Sequence, residues 1–287
     1  MNTNRNTVAD LDAVLGAKFP ILNEGFICIV DYMGCDFDIA NAARVSYGKG
    51  TKTVNQDEGL IRYLMRHHHT TPFEMCEIKL HLKMPIFVAR QWMRHRMANI
   101  NEISARYSII KDEYYVPELE RMAQQSKINN QGSGEVLPIN SAEKCQDIME
   151  NQCAGAFENY AQLLDSESLA RELSRTILPQ STYTEFFWKI DLHNLLHFCR
   201  LRADSHAQYE IRVYALKILE ILKLWVPVTY QAFVDYRLNS MALSFPDIEV
   251  LKTLIDIEKT RNYIEENRES KKGDVKELCK KLEDLLT

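Results

Sequence analysis

"CEIKLHLKMPIFVARQWMRHR", residues 76–96, changes its pattern twice within a few turns of chain. Ile78, Leu80, Leu82 and Met84 alternate with Glu77, Lys79, His81 and Lys83. A period of two puts the apolar set on one face, so 76–85 reads as a half-buried strand of a sheet with one wet face. Pro85 stands where a helix can start, and "PIFVARQWMRH" follows with helical character. The helix ends in cations: Arg90 and Arg94 fall four apart on one face, and Arg94 and Arg96 flank His95.

The segments on either side extend this strand-then-helix arrangement. "GFICIVDYM" (25–33) and "TYTEFFWKI" (182–190) are apolar and β-branched or aromatic, and read as further strands. Asp36 is placed to cap a helix over "DFDIANAARVSY", and "NQDEGLIRYLMRHHH" (55–69) reads as another. Helical patterns also cover 140–165, 167–178, "DLHNLLHFCRLR" and "DSHAQYEIRVYALKILEILKLW". The last is nearly apolar around its circumference and reads as buried. "MANINEIS" reads as a loop, and "SKINNQGSGEVLP" marks 117–140 as a turn-rich surface loop. These elements predict an α/β protein of the α+β type, with a small, mainly antiparallel sheet and packed helices. Residues 1–20 look like a loose leader. We divide the chain into a leader (1–23), a main domain (24–240) and a polar helical C-terminal extension (241–287) that reads as a solvated helical pair.

Composition narrows the function. The chain has 35 Lys+Arg against 40 Asp+Glu, a net charge of -5, which argues against broad nucleic-acid binding. Any anion site must be local. Seven scattered cysteines without a C-x-x-C argue against a disulfide framework or a thiolate zinc site. No apolar run reaches the ~18 residues of a membrane span, and the N-terminus lacks a signal-peptide core. A cytoplasmic location is the expectation.

Three cationic stretches could build such a site. The first is Arg90–Arg96 with Ser104 and Arg106 beyond it. The second is Arg171 and Arg175. The third is Arg200, Arg202 and His206, the last two one turn apart on a helical reading. Arginine offers paired, planar donors that match phosphate and carboxylate oxygens. His193 and His197 stand four apart, but Asn194 occupies the place where a zinc protease needs Glu. No activated nucleophile is evident, so Ser104 reads as a hydrogen-bond donor. No G-x-G-x-x-G is present. Two other classes stay open on residue types alone: an RNA-binding module built on the Arg-rich loop, and a zinc hydrolase built on His193 and His197.

"RHRMANINEIS" (94–104) resembles the signature of the flavin-dependent thymidylate synthases, Arg-His-Arg, seven residues, then Ser. "LMRHHHTTPFE", "PIFVARQWMRHR", "RTILPQSTYTEFFW" and "LRADSHAQYEI" resemble further segments of that family in its order, over about 24–237. The resemblance implies the thymidylate synthase-complementing fold and methylation of dUMP at C5. It also implies FAD as cofactor, NADPH and 5,10-methylenetetrahydrofolate as co-substrates, and a homotetramer. By position it assigns Gln91, Arg94, Ser104, Ala105, Arg106 and Arg175 to the nucleotide. His69, Thr71, Arg94, His95, Arg96 and Glu102 go to the flavin, and Arg202 to the uracil edge as the catalytic group. Asp191 and His193 stand where the family commonly has Asn-x-Arg. With His197 they read as flavin-side residues, with no metal.

Overall fold

The three strands expected from alternation and β-branching form the middle of one sheet. The computed structural model describes residues 5–45, 54–127, 132–270 and 272–286. In chain order the strands are β1 (Lys18–Ile21), β2 (Gly25–Met33), β3 (Glu77–Pro85) and β4 (Asn99–Glu102). They continue with β5 (Ala123–Gln125), β6 (Ser133–Val136) and β7 (Tyr183–Asp191). The main sheet has the order β1-β2-β3-β7-β4 and every pairing is antiparallel; β5 and β6 form a separate ribbon. The chain groups into two compact units that interleave along the sequence: residues 1–35 with 73–225, and 36–72 with 226–287. Ser46 and Tyr47, at the end of one helical reading, and 128–131 in the turn-rich loop lie outside the described residues.

In the first unit, β3 and β7 pair along their whole length, from Glu77 opposite Asp191 to Pro85 opposite Tyr183. Ile78, Leu80, Leu82 and Met84 are buried as the alternation requires, with Phe186, Trp188 and Ile190 beside them. The helices Ile86–Trp92, Leu192–Arg202 and Tyr209–Trp225 add further buried side chains to this core. Tyr209–Trp225 is less buried than its composition implied, because Leu216, Glu220 and Lys223 are exposed. The polar face of β3 also differs from expectation. Lys83 is only 6% exposed, because its ammonium pairs with Glu113 at 2.9 Å. His81 pairs with Glu185 at 3.0 Å and stacks on Phe187.

Two other readings change. The stretch taken as a loose leader holds a short helix, Ala9–Asp12, with Leu11 fully buried, and the edge strand β1. "MANINEIS" reads as a loop, yet Asn99–Glu102 within it pairs with β7 as a strand. Gly25 is required where β1 turns into β2. A Cβ there would lie 2.0 Å from the Tyr214 hydroxyl, which donates to the carbonyl of Lys83.

The second unit is helical: Asp36–Val45, Val54–Arg66, Pro227–Phe233, Phe245–Leu254, Ile257–Asn267 and Gly273–Leu286. Asp36 caps a helix, but not its own. Its carboxylate accepts from the amides of Val228 and Thr229 and from the Thr229 hydroxyl, at the start of Pro227–Phe233. His68 takes the left-handed conformation (φ 59°) that ends Val54–Arg66. The C-terminal stretch is three helices rather than a solvated pair, with Ile264 and Cys279 buried. It is tied to Val54–Arg66 by Glu277, which accepts from Arg66 Nε (2.9 Å) and Nη2 (2.8 Å) and pairs with His67 Nε2 (3.0 Å).

The hydrogen bonds from Arg66 hold the Glu277 carboxyl down to about 2. A carboxylate with a depressed folded pKa contributes its stability above the unfolded value and loses it as pH falls toward the folded one. Glu277→Gln should cost about 1 kcal/mol near neutral pH. It should also flatten the loss of stability between roughly pH 4.5 and pH 2. Urea unfolding of both proteins at pH 7 and pH 3 measures this; equal differences at the two pH values would count against the pair.

Candidate functional site

The cationic turn is positioned by the strand that precedes it. Pro85 ends β3 in an extended conformation, and the first two amides of Ile86–Trp92 donate to the carbonyls of Thr182 and Gln180. Those bonds satisfy helix N-terminal donors and fasten the helix beside the start of β7. The helix is short. It stops at Trp92, so Arg94, His95 and Arg96 lie in the turn beyond it and not on one helical face with Arg90. From the other end of the sheet, β7 runs into Leu192–Arg202. Asp191 caps that helix, accepting from the amide (2.9 Å) and side chain (2.7 Å) of Asn194.

The two helices bring their ends together. Arg202 Nε donates to His95 Nε2 at 3.0 Å, and Arg202 Nη2 reaches the main-chain carbonyl of Gln91 at 3.4 Å. Burial, then the Arg202 charge, then His197 pull the His95 pKa down from its ordinary value to about 4. His95 is therefore neutral near pH 7, with its bare Nε2 toward Arg202 and its proton on Nδ1. Burial also lowers the Arg202 pKa, though a guanidinium keeps its charge.

Beside this pair lies a cavity of about 470 Å³, lined by Arg94, His95, Arg96, Met97, Ile190, Asn194 and His197. No carboxylate among the described residues lines it. Among the described residues, no three His, Cys, Asp or Glu side chains are grouped to hold a metal ion.

The other expected residues lie outside the cavity lining. Glu102, on β4, is held by the hydroxyl of buried Thr184 at 2.6 Å. Arg106 and Arg175, 69 positions apart, meet at Glu172. Arg106 Nε pairs with its carboxylate at 3.3 Å, and Arg175 Nε donates to its carbonyl at 3.4 Å. Ser104 and Ala105 are half-buried in the turn after β4, where the Ser104 hydroxyl accepts from the Arg106 amide at 3.3 Å. His193 is half-buried on the same helix as His197 but does not line the cavity. His69 and Thr71 belong to the second unit. His206 lies beyond the end of the Leu192–Arg202 helix and pairs with Asp204 at 2.9 Å, so it is not one helical turn from Arg202.

The model of the family described as thymidylate synthase complementing protein matches residues 28–228. The chain belongs to this family. It is 56% identical over 253 residues to the flavin-dependent thymidylate synthase of Wolbachia pipientis wMel, covering 88% of this chain and 89% of that one. To the flavin-dependent thymidylate synthase of Rickettsia typhi it is 51% identical over 290 residues, covering 97% and 98%. Among solved structures it resembles the UMP/dUMP methylase PolB of Streptomyces cacaoi bound with 5-Br dUMP. The TM-score is 0.69 at 32% identity, covering 78% of this chain and all of that one.

In this member of the thymidylate synthase complementing family, sequence reading missed Met97, Ile190 and Asn194. In the sequence, Asn194 stands only where a zinc protease motif would need Glu. Its spacing of three from Asp191 is the signal that could have found it, since that is the geometry of a capping pair. One consequence is measurable. Arg202→Leu removes the second-largest influence on His95, so the imidazole should titrate above 4, part of the way back to 6.5. Histidine-labelled protein followed by NMR across pH 3–8 reads this; an unmoved His95 would mean burial alone sets its pKa.

Proposed function

We propose that this protein is a flavin-dependent thymidylate synthase. It methylates C5 of dUMP to give dTMP, takes the carbon from 5,10-methylenetetrahydrofolate, and uses FAD and NADPH for the electrons. The donor set of the cavity carries the reading: Arg94, His95, Arg96, Asn194 and His197, with no carboxylate among the described lining residues. Such a set fits a phosphate-bearing flavin. Family membership and the likeness to a methylase bound with 5-Br dUMP support the same reading. When bound, FAD supplies hydride chemistry that no amino-acid side chain provides.

The chain's own residues then place and polarise. Gln91, Arg94, Ser104, Ala105, Arg106 and Arg175 hold the nucleotide. Arg106 and Arg175 take its phosphate, because the exposed Arg106–Glu172 ion pair and the long Arg175 hydrogen bond to the Glu172 carbonyl cost little to exchange. His69, Thr71, Arg94, His95, Arg96, Glu102, Asp191, His193 and His197 serve the flavin side. Arg202 meets the uracil edge. Its partial burial strengthens its field, and His95 with the Gln91 carbonyl sets the plane of the guanidinium. A fixed cation there favours negative charge at the N3 edge of the uracil, which makes C5 more nucleophilic toward the one-carbon unit. The main domain, 24–240, carries these groups. The assembly is a homotetramer. Exposed Ile139, Ile148 and Met149 on the long helix Ile139–Asp165, with nearby Leu173 and Ile177, supply apolar surface for other copies.

Two experiments test the reading. Bound flavin is reduced with NADPH, dUMP and methylenetetrahydrofolate are added, and reoxidation is followed without oxygen. Arg202→Ala should lower that rate about 10²–10³-fold. Arg202→Lys should recover little, having lost the planar donors. Reoxidation and dTMP formation at the wild-type rate would overturn the assignment. Sedimentation should give four times the 33.4 kDa chain mass, and a stable, active monomer would refute the assembly.

A further inference from the structure

A hydrogen-bonded chain runs from a buried carboxylate to Gln91. Glu210, only 8% exposed in the first turn of Tyr209–Trp225, accepts from the Tyr115 hydroxyl at 3.2 Å. Its other oxygen accepts from Gln208 Nε2 at 2.8 Å. Gln208 Oε1 accepts in turn from Gln91 Nε2 at 2.5 Å. The main chain of Gln91 meets Arg202 Nη2, so this chain ends where the site begins.

Chemistry at the buried end sets the direction of every link. A carboxylate can only accept. The Tyr115 hydroxyl remains a donor, since burial and the Glu210 charge both push its pKa up. Gln208 must therefore turn its NH2 to Glu210 and its oxygen to Gln91. Gln91 must turn its NH2 to Gln208. Its own amide oxygen is then the group that faces outward. An isolated glutamine flips its amide freely and offers either end, so an outward oxygen here is an imposed polarity.

We propose that Glu210 and Gln208 are positioning residues that hold Gln91 with its amide oxygen toward the nucleotide, as an acceptor for a donor group of dUMP. This rests on the reading of Gln91 as a nucleotide contact. The matching donor is the N3–H of the base or the 3′-hydroxyl of the sugar, never a phosphate oxygen. A ligand that offers an acceptor at that place is repelled, so the relay contributes selectivity as well as affinity.

The test is calorimetric titration of dUMP into the FAD-loaded protein, with flavin content and thermal midpoint as checks on folding. Gln208 is exposed, so its replacement leaves the core intact. Gln208→Leu frees the Gln91 amide and should raise the dUMP dissociation constant about 5–10-fold. Gln208→Glu sets two carboxylates against each other and should weaken binding at least as much. The double variant Gln208→Glu, Glu210→Gln restores the polarity, because the new amide donates to the new carboxylate, which accepts from Gln91. It should return to within about twofold of wild type, a recovery that a merely structural role does not produce. N3-methyl-dUMP and 3′-deoxy-dUMP separate the two donors, since the analogue lacking the right one binds wild type and Gln208→Leu alike. Wild type that binds dUMP while Gln208→Leu binds equally well, or a double variant that fails to recover, overturns the relay. Wild type that does not bind dUMP overturns the functional reading and the relay with it.

Discussion

Three rings hold this site in register. Trp92, Trp188 and Phe198 are each fully buried, with centroids 5.0 Å apart for the tryptophans, 4.3 Å for Trp92–Phe198 and 5.3 Å for Trp188–Phe198. Each ring sits on a different element: the helix leaving β3, the strand β7, and the helix leaving β7. Neither indole N–H has a hydrogen-bond partner among the described residues, so shape and ring contact alone set the arrangement. Because both helices are continuous with paired strands, fixing one contact fixes their phase. His95 follows Trp92 by three residues and Arg202 follows Phe198 by four. Phe198 also meets the His95 ring edge-on at 4.8 Å. The 3.0 Å bond between His95 and Arg202 follows from this packing.

The electrostatics follow from the same packing. A chain with net charge -5 gathers Arg94, Arg96 and Arg202 around a histidine kept neutral by burial. Arg94 and Arg96 remain exposed and hydrated, which limits the repulsion. Arg202 is half-buried, and it is the one tied down by specific acceptors. The exposed cations are suited to attract an anion, and the anchored one to act on a particular atom.

Elements with a strong local period were legible in the sequence. β2, β3 and β7 were placed within a residue or two by alternation and β-branching, and the helix after Pro85 by its change of period. What was missed depends on partners distant in the chain. β4 has no apolar alternation and is a strand only because β7 offers it an edge. Asp36 has the right side chain and the right place for a cap, but the helix it caps begins almost two hundred residues later. The C-terminal helices looked solvated because their charges were read alone, while Glu277 has its partners in Arg66 and His67. At the site, the Arg-His-Arg turn was visible as composition. Its geometry was not, since the carbonyls that fasten the start of the helix, Thr182 and Gln180, lie about a hundred residues away in the chain. Glu210 was passed over as one charge in an apolar helix.

The interleaving of the two units bears on how the protein is made. β3 cannot find its second neighbour until about a hundred further residues have left the ribosome, because that neighbour is β7. Asp36 and the Val54–Arg66 helix wait longer still, for Pro227–Phe233 and for the helix that carries Glu277. During synthesis the apolar face of β2 and β3 and the core side of the early helices are thus exposed together. A truncation that removes Glu277 leaves the Val54–Arg66 helix without the carboxylate that Arg66 binds.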